Sequence, residues 1–371
     1  MTQEDEKMRE RTKNAAARFR EWATAQNLLQ VDTAEEPDDE IDIEEEFDRG
    51  EDFRSQNTID VFKRREILLI AYNDVEHEVV VYTRRKLSKK DAENIPDALD
   101  DEIGIRVVQG GAPFVSGRTY SSIRPYYQVA DTFYCCGSSI FVGDCRGAGS
   151  LGALLRDREG VLVGLTNNHV GGGCNHTPIE MPIVAPGSVD VHQDGIDPFT
   201  IGRHLSVIPF TAGSPDHVNV SANTDAAIFR IRDEARVSSM QGNFYDTPAS
   251  VMDPTCSMRV TKVGRSTGLT RGIIRAKTVG AEAVAYAVAE FDMKDVVYFS
   301  EVYIVEGEGR PFSAPGDSGS LVCTEDENGR RHAVGIVFAG HKFGNHTFIL
   351  PLRPLLHHWG LTLVAGHNTV A

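Results

Sequence analysis

Ser318 lies in the stretch SAPGDSGSLV, residues 313 to 322, boxed between glycines with Asp317 before it and an apolar run after. A serine can act as a nucleophile when a base takes its proton and an acid fixes the base's tautomer and offsets its charge. Backbone N–H groups aimed at the developing oxyanion complete such a site. The glycines here allow a tight turn on which the N–H groups of Gly316 and Ser318 converge on one oxygen. Taken alone, Gly-Asp-Ser-Gly is equally a turn of favourable composition.

Two upstream segments supply the missing parts. In VLVGLTNNHV an apolar run, expected as a buried strand, ends in Thr166-Asn167-Asn168-His169. A histidine just past a strand stands at the rim of a core; a lone one there is often structural. In NTDAAIFRI, Asp225 stands at the mouth of another apolar strand, where a partly buried carboxylate needs a donor. Aspartate before a strand is also a common turn residue. Together His169, Asp225 and Ser318 form a base, an orienter and a nucleophile, in that chain order. Nucleophile-elbow hydrolases run Ser, Asp, His and carry G-x-S-x-G, whereas Ser320 stands where the last glycine belongs. The order found is that of chymotrypsin-like peptidases.

Such a site needs a scaffold, and from about residue 118 the sequence reads as short strands separated by turn signals. GSLGALLRD, RVTKVG, GIIRAKTVG, DVVYFSEVYIV, SLVCTE and HTFILPL are among them, and the spacing predicts an all-β sandwich or a pair of barrels. LRPLLHHWGLTLV closes the chain with a short helix. Between about 58 and 110, REILLIAYN and HEVVVYTRRKL, a polar loop with helical content, and a third short strand ending in glycines predict a small α/β domain. Residues 4 to 30 have a helix-forming composition with a patchy apolar stripe (Met8, Phe19, Trp22, Leu28, Leu29), which predicts a surface helix. Residues 32 to 52 concentrate acidic side chains and read as a solvated spacer. The expected units are 1–56, 57–117 and 118–371.

The region from about 130 to 355 resembles a trypsin-like serine peptidase. LTNNHV is similar to that family's Thr-Ala-Ala-His segment, DAAIFRI to its Asp-Ile-Ala-Leu segment, and GDSGSLV to its nucleophile segment. VGRSTGLTRGIIRA, residues 263 to 276, resembles the strand opening the second barrel in bacterial members, and AVGIVFAG the strand lining the specificity pocket. The preceding VVVYTRRKL and IPDALDDEIGIRVVQGG resemble the cytosolic bacterial and plant peptidases of the narrow-leaf type. The resemblance implies a mainly β fold: a double six-stranded antiparallel β-barrel, preceded here by the small α/β domain and the acidic N-terminal tail. It implies Ser318 as nucleophile, His169 as general base and acid, Asp225 as orienter, and the amides of Gly316 and Ser318 as oxyanion hole. No Arg/Lys-Ile-Val-Gly-Gly activation site precedes the domain, so Asp317 needs an internal cation, and Lys262 stands at the matching position, with Arg265 as the alternative. The pocket floor falls on Phe312 and its wall on Phe338, Ala339 and Gly340, a lining for a small or apolar side chain. Phe338 stands where relatives have a serine that holds the triad aspartate, which predicts a less well-held Asp225. Cys174, five residues beyond His169, is expected to stay unpaired.

Composition bounds the alternatives. The chain has 371 residues, 41% hydrophobic, and a net charge of −16, with 19 acidic and 8 basic side chains in residues 1 to 60. The rest is nearly balanced and carries no basic stripe, which argues against nucleic acid. The charged start MTQEDEKMRERTKN has no apolar core before a small-residue cleavage site, and no run is long enough to span a bilayer, so a cytoplasmic protein with no membrane partner is expected. Six cysteines without C-x-x-C spacing are expected as buried, reduced thiols. Other histidines (His176, His192, His204, His217, His341, His346, His357, His358) form no H-E-x-x-H and no Cys/His cluster, so neither metal nor cofactor is expected, and they read as surface or loop residues. The expected partner is a protein or peptide substrate, with self-association into a homo-oligomer or a regulatory protein as further options. The competing class is a degenerate or regulated peptidase serving as a peptide-binding scaffold on the same barrels.

Overall fold

The structure, a computed structural model, describes residues 3–29, 55–99, 102–110, 113–115, 133–191, 199–341 and 345–369; the acidic stretch 32–52 and His192 lie outside the described residues. Helix α1 (Gln3–Ala25) buries Thr12, Ala15, Ala16, Phe19 and Ala23, a stripe at helical spacing made mostly of alanine. It is therefore a docked helix and not the surface helix predicted from its large apolar residues. Helix α2 (Gln56–Arg65) is capped by Ser55, whose Oγ accepts the Thr58 N–H at 3.1 Å. Strand β1 (Ile67–Asn73) pairs antiparallel with β2 (Glu78–Thr83), and a short helix α3 (Lys89–Ala92) leads to β3 (Gly104–Gln109), parallel to β2. All seven β1 residues are buried. Ile67, Ile70 and Tyr72 pack with α1, while Leu69 and Ala71 pack with the barrels, which explains its continuous apolar run.

After the two-residue strand β4 (Pro113–Phe114) comes the first barrel. Its strands are β6 (Ser139–Val142), β7 (Gly149–Ser150), β8 (Ala153–Arg156), β9 (Leu162–Thr166), β10 (Pro182–Ala185), β11 (Phe199–Ile208) and β12 (Ala226–Ile231); β5 (Tyr134–Cys136), β13 (Val237–Gln241) and β14 (Tyr245–Asp246) form a small sheet beside it. The pairing runs β8-β9-β12-β11-β10-β6, and the path returns only through β7, which pairs with β6 and leads into β8. The first barrel is thus a half-open one.

The second barrel is fully ringed. β15 (Arg259–Gly264), β16 (Gly268–Thr278), β19 (Tyr303–Gly307), β22 (His346–Pro351), β21 (Arg331–His341) and β20 (Leu321–Glu325) pair in that circular order, every pair antiparallel. Its interior holds Val260, Ile274, Val305, Phe312, Val322 and Ile349. The fold is the chymotrypsin-like double barrel. Helix α5 (Leu352–Trp359) ends in Gly360 with φ 65°, and β23 (Thr362–Leu363) adds to β8.

Two additions tie the upstream segments to this frame. β1 pairs with β16, so the β1–β3 sheet continues the second barrel's sheet. Between β16 and β19 the chain inserts a hairpin, β17 (Glu282–Val288) and β18 (Met293–Phe299), which reaches the first barrel: Asn223 Nδ2 donates to the Tyr298 carbonyl at 2.9 Å, and Phe291 stacks on His176 at 5.0 Å.

Arg20 of α1 donates to the carbonyls of Val279 and Ala281 at the root of that hairpin. Beside it, Glu282 is buried, and burial pushes its carboxyl up to about 8, with Arg20 opposing the shift. Because the folded state holds the proton more tightly than the unfolded chain, this group's stabilising contribution is complete below about pH 4.5 and is lost as pH rises through about 8. Glu282→Gln is therefore expected to raise the melting temperature more at pH 8.5 than at pH 5.5, with an upper bound of about 5 kcal/mol. Thermal melts of both proteins at both pH values check this; parallel pH profiles would contradict it.

Among the described residues no helix is long and apolar enough to cross a membrane. All six cysteines are buried and unpaired, and burial raises their thiols, Cys135 to about 11 and Cys145 to about 12. His204 differs from the surface or loop histidine expected: it is buried on β11, where desolvation lowers its pKa.

Candidate active site

β9 is five buried residues long and ends at Thr166, after which two asparagines turn the chain into a single helical turn, α4 (Asn168–Gly171), that carries His169. Asn168 exchanges two bonds with Asn175, its Nδ2 donating at 2.6 Å and its Oδ1 accepting the Asn175 N–H at 3.0 Å. The β9–β12 register sets Ala227 opposite Thr166, so Asp225 comes to lie beside this turn. Asn167 Nδ2 donates to the Asp225 carbonyl at 2.6 Å.

The Asp225 carboxylate is buried and holds three donors. Oδ1 accepts the His169 N–H at 3.0 Å, and Oδ2 faces His169 Nδ1 at 2.5 Å and accepts the Tyr286 hydroxyl at 2.9 Å. Tyr286 comes from β17 and was not singled out in the sequence. Burial, then the Asp225 charge, pushes its phenol well above the usual range, so it stays a donor. Phe338 is buried against Phe299 at 5.2 Å between ring centroids and offers no hydroxyl. The hydroxyl that Phe338 lacks reaches Asp225 from Tyr286 instead.

The Ser318 loop is pinned against the end of β9. Ser150 N–H donates to the Ser318 carbonyl at 2.8 Å and Ser150 Oγ to the Gly316 carbonyl at 3.0 Å, while Thr166 Oγ1 donates to the Ser150 carbonyl at 2.9 Å. Gly319 has φ 91°, and a Cβ there would stand 2.4 Å from Thr166 Oγ1, so only glycine fits. The Asp317, Gly319 and Ser320 amides bond Ala314, Val337 and Asp317 carbonyls, whereas no acceptor takes the Gly316 or Ser318 N–H among the described residues. Both of these free amides belong to peptide units held by their carbonyls. Pro315 C=O accepts Ser266 Oγ at 2.6 Å, and Asp317 C=O accepts Ser320 Oγ at 2.6 Å. A planar trans peptide then fixes the opposite direction for each N–H.

Asp317 sits beneath this turn, fully buried. Its Oδ2 accepts Lys262 Nζ at 3.1 Å, Thr267 Oγ1 at 2.7 Å and Ala314 N–H at 2.9 Å; its Oδ1 accepts the Ser266 and Thr267 N–H groups at 2.7 and 3.2 Å. Burial lowers the Lys262 pKa, and Asp317 counteracts this. Arg265, the alternative partner in the sequence reading, points elsewhere: its guanidinium bonds buried Asp190, Nε at 2.7 Å, and its backbone N–H donates to Ser150 Oγ at 3.0 Å.

The structure brings together His169 with Asp225, and Lys262 with Asp317. The imidazole's hydrogen bond goes to Asp225, and none reaches Ser318 Oγ among the described residues. Catalytic hydrogen bonds commonly tighten only when substrate binds. Of the residues expected to line a pocket, Phe312 lies inside the second barrel and Phe338 in the interbarrel core, Ala339 is buried, and Gly340 is half-buried. The residues the sequence did not reveal, Tyr286, Ser150 and Ser266, act through hydrogen bonds between segments far apart in the chain, whereas Ser320 bonds locally to the Asp317 carbonyl. The signal available for Tyr286 is the alternation of EAVAYAV, whose odd positions through Tyr286 are the buried ones.

The Nal1 C-terminal domain pattern matches residues 243–350, most of the second barrel with its hairpin. Protein NARROW LEAF 1 of Oryza sativa subsp. japonica is 26% identical over 298 residues, covering 71% of this chain and 48% of the relative. The chain thus spans about half the length of that relative. Thermobifida fusca protease A overlaps 62% of this chain and 98% of its own at 20% identity with a TM-score of 0.41, and a Nocardiopsis protease overlaps 62% and 97% at 19% and 0.40. A glutamic acid specific serine protease overlaps 62% and 100% at 17% and 0.39.

Proposed function

We propose that the chain is a serine endopeptidase that cleaves peptide bonds through His169, Asp225 and Ser318 and an acyl-enzyme intermediate. What carries the reading is the pairing of a buried, three-donor Asp225 holding His169 Nδ1 at 2.5 Å with a nucleophile turn whose Gly316 and Ser318 amides are left without protein acceptors. In the reaction His169 Nε2 takes the Ser318 Oγ proton as the oxygen attacks the substrate carbonyl carbon, and the two amides receive the oxyanion. The imidazolium returns that proton to the leaving amine, and a water then hydrolyses the ester by the same path. Of the expected lining, Phe312 and Phe338 are fully buried and offer substrate no surface, so the preference for a small or apolar side chain before the scissile bond rests on Ala339 and half-buried Gly340. A second form of the same reading is a peptidase whose site closes only on engagement, since no hydrogen bond joins His169 to Ser318 Oγ among the described residues.

The test is hydrolysis of a panel of fluorogenic peptides differing only in that side chain, by wild type and by Ser318→Ala. Turnover confined to wild type and greatest for alanine, valine or leucine supports the proposal; turnover equal in both proteins sinks it.

Tyr286 acts in this scheme as a positioning residue. Hydrogen bonds to a charged group contribute roughly 1.5–3 kcal/mol, so Tyr286→Phe is expected to lower kcat about 10- to 100-fold with KM nearly unchanged. Steady-state kinetics checks it. An unchanged kcat would mean that Asp225 is held well enough by His169 alone.

A further inference from the structure

A polypeptide bound for cleavage presents its backbone to the free edge of the strand that borders the nucleophile, adding itself as another strand. In this chain that strand is β21. One edge of its last residues is taken by β22, through Ala339 with Phe348 and Gly340 with Thr347. On the other edge, Val337 bonds the nucleophile turn: its carbonyl accepts the Gly319 N–H at 2.8 Å, and its N–H donates to the Ser320 carbonyl at 3.0 Å. Three residues further along the same edge, β4 is paired antiparallel, Phe114 with Gly340 and Pro113 with His341.

The direction of β4 matters. Residue number rises along it as it falls along β21, so β4 runs toward Val337 and the Ser318 turn, the direction a substrate strand takes upstream of its scissile bond. Its opposite edge is held too: Phe114 pairs parallel with Ala285 of β17, and the Val115 N–H donates to the Ala285 carbonyl at 3.1 Å. Ala285 is the residue before Tyr286, so the strand is clamped between the substrate edge and the hairpin that holds Asp225.

We propose that β4 is a built-in competitor that occupies the β21 edge needed by an extended substrate, so that the protein takes a polypeptide only when β4 leaves Gly340 and His341. This rests on the peptidase reading for what the edge receives. An edge open in about a tenth of molecules weakens apparent binding about tenfold. Small acyl groups that engage only Ser318 and the oxyanion amides do not need the edge and are unaffected.

The experiment compares the full chain with Val115→Pro, which deletes the N–H donated to Ala285 and disfavours strand pairing, and with Val115→Thr, which keeps both. Two nitrophenyl esters of the same alanine are used, one N-acetylated and one extended upstream by four residues. The expected result is a KM about tenfold lower for the extended ester in Val115→Pro, the short ester unchanged, and Val115→Thr like wild type. An unchanged extended-ester KM, or equal loss on both esters, overturns the proposal. Binding of a fluorescein-labelled octapeptide, read by anisotropy in the Ser318→Ala background with and without Val115→Pro, gives an answer independent of turnover. About tenfold tighter binding with no turnover in any protein supports the competitor and removes the peptidase reading; equal binding with turnover intact removes the competitor alone.

Discussion

His169→Ala and Ser318→Ala are each expected to lower kcat by about 10⁴-fold or more while leaving the fold intact. The size follows from the parts acting as a unit: without the imidazole, Ser318 keeps its proton, and without the hydroxyl, His169 has nothing to activate. The double variant is for the same reason expected to be no worse than either single one. Neither side chain anchors the fold. His169 is held at the barrel rim by its backbone N–H to Asp225 Oδ1, a bond that alanine retains, and the Ser318 turn is held by backbone groups that alanine also retains. Steady-state kinetics with thermal melts checks both. Losses that multiply in the double variant would show that the two residues act separately, against the scheme.

Lys262→Ala is expected to combine loss of activity with loss of stability. It leaves Asp317 fully buried without its only ion-pair partner among the described residues, a change that typically costs about 3–5 kcal/mol. The four remaining donors to Asp317, from Ser266, Thr267 and Ala314, keep the turn folded. An uncompensated carboxylate one residue from Ser318 sets a negative charge against the developing oxyanion, and loss of one hole donor costs about 10²–10³ in kcat. Lys262→Met, which retains the apolar stem but not the charge, should recover only the packing part of the lost stability and none of the activity. Full activity in Lys262→Ala would reject any role for this pair in holding the hole.

What the sequence revealed and what it hid divide along a physical line. His169, Asp225 and Ser318 each stand at the end of an apolar strand or in a glycine-rich turn, so local pattern singled them out. Tyr286, by contrast, reaches Asp225 across 61 residues of chain, Ser266 reaches Pro315 across 49, and Ser150 reaches Gly316 across 166. Such bonds depend on how strands are paired, which side-chain type alone does not encode. The strand periodicity announced a sandwich or a pair of barrels, but not that β1 would extend the second barrel's sheet or that two residues, Pro113 and Phe114, would lie on β21. Helix α1 differs from the surface helix its sequence predicts because its buried stripe is built largely from Ala15, Ala16 and Ala23, which carry little hydrophobic signal yet allow close approach to the sheet.

Phe338 illustrates the same limit in the opposite sense. Read against related sequences, an aromatic side chain at that place removes a hydroxyl from Asp225 and predicts a weakened site. In the folded chain Phe338 packs on Phe299, Phe299 and Phe210 pack on Tyr286, and Tyr286 brings a phenol to the carboxylate. The site replaces the hydroxyl through the inserted hairpin and does not go without it.

The central claim, an activated Ser318 facing an assembled oxyanion hole, is tested most directly by intact-protein mass after exposure to a fluorophosphonate. Attack by Ser318 Oγ on phosphorus with departure of fluoride leaves a phosphonylated serine, and the probe is small enough to need no β21 edge. The account predicts one label per wild-type chain and none on Ser318→Ala or His169→Ala. A folded wild type that stays unlabelled, or labelling that persists in Ser318→Ala, would contradict it.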